Sequence, residues 1–258
     1  MVVAADLVVY GSANMQETDS GTQGGAIDAA IKMAFTDIAA TDATTIISDN
    51  AGDTTQTVTI TGRNSEGSIV SEAIGLNGTS RATGSTSFER ILKIVMDATA
   101  SGTVTITRDN TPTFTAIATL EAGLTQVRRP FYDVSADESG GSSRDFYEKV
   151  FVKNNNSTTA LLAATIAETD PSGNVTFALE DAVTDTGTST NRVTAPTASE
   201  IGTSGFDSAD KTLAAETDAA TADLAASTAI GVWVKLTLAA GTAAANTTYT
   251  ITASGSSV

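Results

Sequence analysis

The chain has 258 residues, of which 41% are hydrophobic and 5% aromatic, so it is long and apolar enough for two ordinary folded domains. With 14 basic and 30 acidic residues its net charge is −16 and its pI near 4.1, a balance that disfavours nucleic acid as a partner. It contains no Cys and no His, which excludes disulfides, Cys–His and Ser-His-Asp centres, imidazole metal sites and zinc fingers.

The first residues are not expected to act as an export signal. Residues 1–15 lack a basic n-region and an apolar core of signal-peptide length, and no run approaches the length of a bilayer span, so we expect no membrane partner. An apolar patch at Leu7–Tyr10 precedes a polar stretch rich in Gly, Ser and Gln. This pattern predicts an N-terminal extended arm over residues 1–25, which either ties onto a neighbouring subunit or frays.

A first domain is predicted over residues 26–134. Its opening apolar residues share one parity, which favours a strand, although the two isoleucines also fit helical spacing. These residues are Ile27, Ala29, Ile31, Met33 and Phe35. Thr44–Ser48 is rich in β-branched residues and predicts a further short strand.

The stretch Thr54–Met96 predicts an antiparallel meander. Val58 and Ile60 alternate with threonines, which marks a half-buried strand. Asn64–Gly67 and Asn77-Gly78 are turn signals, because Gly and Asn tolerate the backbone conformations of tight turns. The apolar run Phe88–Met96 adds another strand.

The first domain then continues through three further predicted strands and ends in a linker. The strands are Gly102–Arg108, Thr113–Leu120 and Gln126–Tyr132. Residues 135–144 (SADESGGSSR) have the composition of a linker, which places a domain boundary there.

A second domain is predicted over residues 145–258. Its strands are Phe146–Lys153, Ala160–Glu168, Asn174–Glu180, Ile230–Leu238 and Thr247–Ala253. The sequence of Asp170–Gly173 fits a type I turn. Residues 181–228 predict a long polar loop, within which Ser208–Ser227 forms an Ala-rich helix in the alternative interpretation, although its apolar stripe is thin.

Short strands separated by turn signals every 8–12 residues or so are typical of sandwiches and small barrels. We therefore expect an all-β fold of two antiparallel β-sandwich domains, Ig-like or jelly-roll-like, behind the extended arm. No sequence motif points to chemistry. Ser208–Lys211 matches S-x-x-K, but the companion motifs are missing and a chance match is favoured. Asp137-Glu138 and Asp49 with Asp53 fit no EF-hand loop, so we expect neither a metal, nor a cofactor, nor catalytic residues.

Two stretches resemble a known group of proteins. Ala51–Thr79 (AGDTTQTVTITGRNSEGSIVSEAIGLNGT) with Ser87–Val95 is similar to virion structural proteins of tailed bacteriophages, most closely to capsid decoration (cement) proteins. Phe146–Ile166 with Ala229–Gly241 resembles the later domain of such proteins.

The resemblance implies a structural protein that is not an enzyme. It would be made in the host cytoplasm and would bind the outer surface of the capsid. The implied partner is the major capsid protein, and the implied assembly is a homo-oligomer, with a trimer expected, or lattice-bound copies. Two alternatives stay open: a neck, collar or tail component, and a surface adhesin or carbohydrate-binding module.

Seven residues are predicted to contact partners. Leu7–Tyr10 belongs to the arm, and the only paired basic residues precede a proline, where a solvated surface is the other interpretation. The only Trp either covers a core edge or anchors a contact. The predicted contact residues are Leu7, Val8, Val9, Tyr10, Arg128, Arg129 and Trp233.

Overall fold

A computed structural model describes residues 1–131, 134, 141–217, 222–241 and 249–257. It is 49% strand and 4% helix, which confirms the all-β class. The described strands are β1 (Leu7–Met15), β2 (Gln23–Lys32), β3 (Thr44–Ser48), β4 (Thr57–Arg63), β5 (Ile69–Gly75), β6 (Ala82–Thr83), β7 (Arg90–Met96), β8 (Val104–Arg108), β9 (Ala116–Leu120), β10 (Gln126–Arg128), β11 (Arg144–Asn154), β12 (Leu162–Thr169), β13 (Val175–Val183), β14 (Thr188–Ser189), β15 (Lys211–Thr212), β16 (Ala229–Leu238) and β17 (Thr250–Ser256). The described helical segments are two 3₁₀ turns, Ala4–Asp6 and Ala198–Glu200, and one α-helical turn, α1 (Leu213–Glu216).

The chain divides into two compact units. The first combines Met1–Asp28 with Asp133–Val258, and the second is Ala29–Tyr132. The predicted division differs, because it set residues 1–25 apart as an arm. Most of the predicted linker, 135–140, lies outside the described residues.

The N-terminal segment is a sheet strand rather than an extended arm. β1 pairs antiparallel with β11, from Leu7 opposite Asn154 to Gly11 opposite Val150. Its other side is taken by β2, so neither edge of the strand is free. The apolar patch Leu7–Tyr10 favours this outcome, because it contains two adjacent valines, which suit a pleated sheet.

The main sheet of the first unit follows the order β13, β16, β11, β1, β2. Its central strands are covered on both faces, and Ala229–Val234 is buried without interruption. The sequence predicted one apolar face for Ile230–Leu238. The structure also buries the opposite face, which carries Trp233. A smaller sheet of β15, β12 and β17 completes this unit.

The region predicted as a long loop contains short elements. Between residues 181 and 228 the chain forms β14, a 3₁₀ turn, β15 and α1, while 218–221 lies outside the described residues. The alternative of a helix over Ser208–Ser227 is wrong for the described residues, which contain a single helical turn. Leu213 and Leu224 are both buried, but Leu224 bridges to Leu161 instead of continuing a helical stripe.

In the second unit β4 is an inner strand, next to the sheet edge that β5 forms. It pairs antiparallel with β5 on one side and with β7 on the other, so β7 does not follow β5 as in the predicted meander. The turn at Asn64–Gly67 is confirmed, with the Gly67 N–H donating to the Asn64 carbonyl at 2.9 Å. Gly78 adopts φ +59°, the left-handed conformation expected of an Asn-Gly turn, but the chain then enters a loop.

The remaining strands of the second unit form a four-stranded sheet in the order β6, β3, β8, β9. Both sheets of this unit contribute fully buried apolar side chains to its core, including Val58, Ile60, Ile94, Ile46 and Ile106. None of the helices within the described ranges is long and apolar enough to cross a bilayer.

Candidate functional site

A lysine is completely buried in the first unit. Lys149 lies on β11 opposite Trp233 of β16, and its side chain has no exposed surface. Its ammonium nitrogen lies 4.8 Å from the centre of the Phe151 ring and 5.8 Å from that of Trp233. An ammonium group is placed in such an apolar enclosure only when other groups compensate its charge.

The compensating group is Glu180 on β13. Its carboxylate is also completely buried, and its Oε1 contacts the Nζ of Lys149. The other oxygen, Oε2, has no hydrogen-bond partner among the described residues. Burial raises the pKa of Glu180 to about 8, against the effect of Lys149, which lowers it. Burial likewise lowers the pKa of Lys149.

Two backbone carbonyls hold the lysine nitrogen. Nζ donates to the carbonyl of Gly187 at 3.1 Å and to that of Asp185 at 3.4 Å. The Gly187 carbonyl also accepts the N–H of Gly25 at 2.8 Å, which ties the loop after β13 to β2. The nitrogen is therefore oriented by three groups: two carbonyls and one carboxylate.

Two glycines make room for the carboxylates. A Cβ at Gly231 of β16 would come 2.1 Å from Oε2 of Glu180, and one at Gly187 would come 1.6 Å from Oε2 of Glu200. Any other residue at either position would displace a charged group. The glycine at 231 lets Glu180 reach over β16 toward β11.

Two further carboxylates surround the pair. One ligand oxygen from each of Glu180, Asp185 and Glu200 lies within 4.8 Å of the others, and Asp185 and Glu200 are half-buried. Burial is the main cause of the raised pKa of Glu200, and the neighbouring Asp185 raises it further. If all four groups were ionised, three negative charges would face the single positive charge of Lys149.

Glu200 links this cluster to a surface depression. It ends the 3₁₀ turn Ala198–Glu200, whose first two residues line an open cavity of about 410 Å³. Asp181 and residues 201–205 line the rest of the cavity. The half-buried Glu200 is therefore a carboxylate of the cluster whose chain neighbours line a surface cavity.

Three carboxylates this close together could bind a hard divalent cation such as Ca²⁺ or Mg²⁺. In this cluster, however, the ammonium of Lys149 contacts one of the three carboxylates directly and supplies the compensating charge. The arrangement brings an amine and a carboxyl group together, shielded from bulk solvent, beside carboxylates that can transfer protons.

Sequence reasoning missed this cluster. The available signals were a Glu-Lys pair inside the apolar run Phe146–Val152 and an acidic residue at the end of the predicted strand Asn174–Glu180. Both suggest ordinary solvated strand positions unless both faces of the sheet are known to be covered.

The predicted contact residues of the first unit lie within its main sheet. Leu7–Tyr10 is half-buried in β1, and the Tyr10 hydroxyl accepts a hydrogen bond from Asn155 at 2.8 Å. Trp233 has no exposed surface, so its ring covers the core and is not presented to a ligand.

The paired arginines lie in the second unit. Arg128 is only 2% exposed, which differs from the solvated surface considered above. Arg129 forms an ion pair with Asp37 at 2.8 Å, donates to the carbonyl of Ile91 at 2.8 Å and stacks on Phe35. Both side chains therefore interact within the chain, and neither joins the Lys149 cluster.

Comparisons of this chain with protein-family models, with curated proteins and with solved structures found no match.

Proposed function

We propose that this chain is a non-catalytic structural protein of a tailed-phage virion that binds the outside of the head and stabilises the assembled shell. Binding to the assembled lattice, and not to free subunits, would stabilise the shell by mass action. The partner would be the major capsid protein. The chain would be made in the host cytoplasm and would bind the capsid there. The proposal includes a chain folded as two β-sandwich domains.

The observation that carries the proposal is the edge strand β5. It is the last strand of its sheet, is seven residues long and pairs only with β4 within the described part of the chain. It lies inside Ala51–Thr79, the stretch on which the phage resemblance rests.

The exposed face of β5 suits an added strand. Four of its seven residues are exposed, and Ile69 is 54% exposed, an unusual position for a large apolar side chain at a sheet edge. Natural proteins commonly protect such edges with charges or prolines. β5 has no proline, and the carboxylate of its one charged residue, Glu72, is bonded to Ser85 and Thr86, so its exposed residues carry no charge. The occupant we propose is an extended segment of a neighbouring coat subunit.

The test uses purified protein and expanded shells that lack it. The proposal expects the protein to co-sediment with the shells and to raise their disruption temperature. Failure of both would contradict the proposal.

A matched pair of variants tests the edge. Ile69→Lys places a charge at the open edge. It should raise the Kd for shell binding at least tenfold, which corresponds to about 1.4 kcal/mol. Val193→Lys is the control, since Val193 is 41% exposed but belongs to the other unit. Equal weakening by both substitutions, or by neither, would count against β5 as the contact.

A further inference from the structure

Lys149 and Glu180 meet across an intervening strand. They lie on β11 and β13, the two strands that flank β16 in the main sheet of the first unit. Their side chains meet over Gly231, where the lack of a Cβ leaves the space that the carboxyl group occupies. No backbone hydrogen bonds join β11 to β13 directly, so this contact spans the sheet.

The contact is shielded from bulk solvent and the two groups are held in place. Neither side chain has exposed surface, and two aromatic rings cover the nitrogen. A neutral amine has two N–H donors and one lone pair. The two carbonyl acceptors, of Asp185 and Gly187, take the donors, which leaves the lone pair for the third neighbour, the Glu180 carboxyl group.

We propose that Lys149 and Glu180 react with each other to form an intramolecular amide bond between Nζ and Cδ. This inference does not rest on the proposed function. Burial favours the uncharged forms that the reaction needs, because it lowers the pKa of the lysine and raises that of the glutamate. Fixing the two groups in contact supplies the orientation that a reaction in solution lacks.

The bond forms by condensation, with no change of oxidation state. The Nζ lone pair attacks Cδ of the protonated carboxyl group, and the carbonyl electron pair moves onto its oxygen. The carboxylate of Glu200 takes one proton from the nitrogen and returns it to the hydroxyl group of the intermediate. The Cδ–O bond then breaks, the C=O double bond re-forms, and one water molecule leaves.

Glu200 is the group placed for this proton transfer. Its Oε2 and Oε1 of Glu180 both lie around the Cα of Gly187, where an added Cβ would be 1.6 and 3.2 Å from them. Because Glu200 is half-buried beside the open cavity, it also offers the departing water a route toward solvent. The resulting link would tie β11 to β13 and limit the freedom of the unfolded chain between them, as a disulfide does.

The experiment is the intact mass of the purified full chain under denaturing conditions. The proposal expects a mass lower by one water molecule than the mass calculated from the sequence. Lys149→Met and Glu180→Met should each show the full mass calculated for the variant, because one removes the amine and the other removes the carboxyl carbon. The mass of the wild-type chain tests the proposal even if either variant fails to fold. Lys235→Met is the control, because Lys235 pairs with Asp145 at 3.1 Å at a half-buried site, and this variant should keep the deficit.

Peptide mapping locates the bond. Trypsin should not cleave after Lys149, and a branched peptide should join residues 149 and 180. Glu200→Gln should increase the fraction of chain at full mass. A wild-type chain at its full calculated mass overturns the proposal, and a branch ending at Asp185 or Glu200 overturns the assignment to Glu180.

Discussion

The carboxyl group of Glu180 lies directly over the Cα of Gly231 on the adjacent strand, at the place where a side chain would begin. A Cβ built at Gly231 would come 2.1 Å from Oε2 of Glu180. Gly231→Ala should therefore destabilise the first unit by about 1–3 kcal/mol, as overpacking of a filled interior does. Thermal or denaturant unfolding measures this change.

Gly75→Ala is the matched control for this glycine prediction. Gly75 also lies in a strand, but a Cβ there would meet no atom within 4 Å. Its effect should stay within about 1 kcal/mol, since only the freedom of the unfolded chain changes. A Gly231→Ala variant as stable as Gly75→Ala would contradict the packing described for Glu180.

The buried carboxylate of Asp53 should make the second unit sensitive to acid. It accepts hydrogen bonds from the Ser48 hydroxyl at 2.6 Å and from the backbone N–H groups of Ser101 and Gly102 at 2.9 and 3.0 Å. These bonds, the Ser48 hydroxyl foremost, hold the pKa of Asp53 below its ordinary value of 3.8. The stabilisation is therefore complete well above pH 3.8 and is lost as the pH falls through the lower folded-state value.

Asp53→Asn tests this linkage. The variant should unfold more easily than the wild type at pH 7, because an amide cannot accept all three bonds. The difference should shrink as the pH falls below 3.8. Unfolding curves recorded across that range measure it, and a difference that is independent of pH would contradict the role of the charge.

Trp233 should report a fully buried environment. It is the only Trp in the chain and has no exposed surface. Its fluorescence should resist acrylamide quenching in the native state and become accessible on unfolding. Trp233→Ala should destabilise the first unit by about 3–5 kcal/mol. Trp233→Phe should destabilise it less, because it keeps most of the ring volume and removes an Nε1–H without a hydrogen-bond partner within the described ranges. Native quenching as strong as that of free tryptophan would contradict this placement.

Asn154 should not tolerate a carboxylate. Its Nδ2 donates to the carbonyls of Thr159, Leu224 and Ala225 at 2.9, 3.1 and 3.3 Å. Asn154→Asp replaces that donor by an acceptor facing three acceptors and should destabilise the first unit by about 1–3 kcal/mol or more. Asn174→Asp, at an exposed position before β13, is the control and should have little effect. Similar unfolding midpoints for the two variants would contradict the bonding described for Asn154.

Local features were predictable because they depend on neighbours in the chain. Thr44–Ser48 was predicted as a strand and forms β3, and Ile230–Leu238 lies within β16. The turn at Asp170–Gly173 was also predicted, and the Gly173 N–H donates to the Asp170 carbonyl at 3.2 Å. Proline, glycine and alternating side chains act over a few residues and can be interpreted without the rest of the fold.

The candidate site could not be predicted in the same way. Lys149 and Glu180 each lie in a predicted strand, but a charged residue in a strand ordinarily faces solvent. Their burial requires that both faces of the sheet be covered, and their contact requires that β16 lie between β11 and β13. Neither condition can be inferred from the sequence of either strand.

Composition and local pattern alone determined that this is an acidic all-β chain without thiol or imidazole chemistry, and where most of its strands and turns lie. Only the tertiary structure decided that Leu7–Met15 pairs with β11, that β4 separates β5 from β7, and that Lys149 meets Glu180. The physical reason is that strand formation is driven by local side-chain pattern. Strand order and burial depend instead on contacts between residues far apart in the chain, and many pairings satisfy the same local pattern.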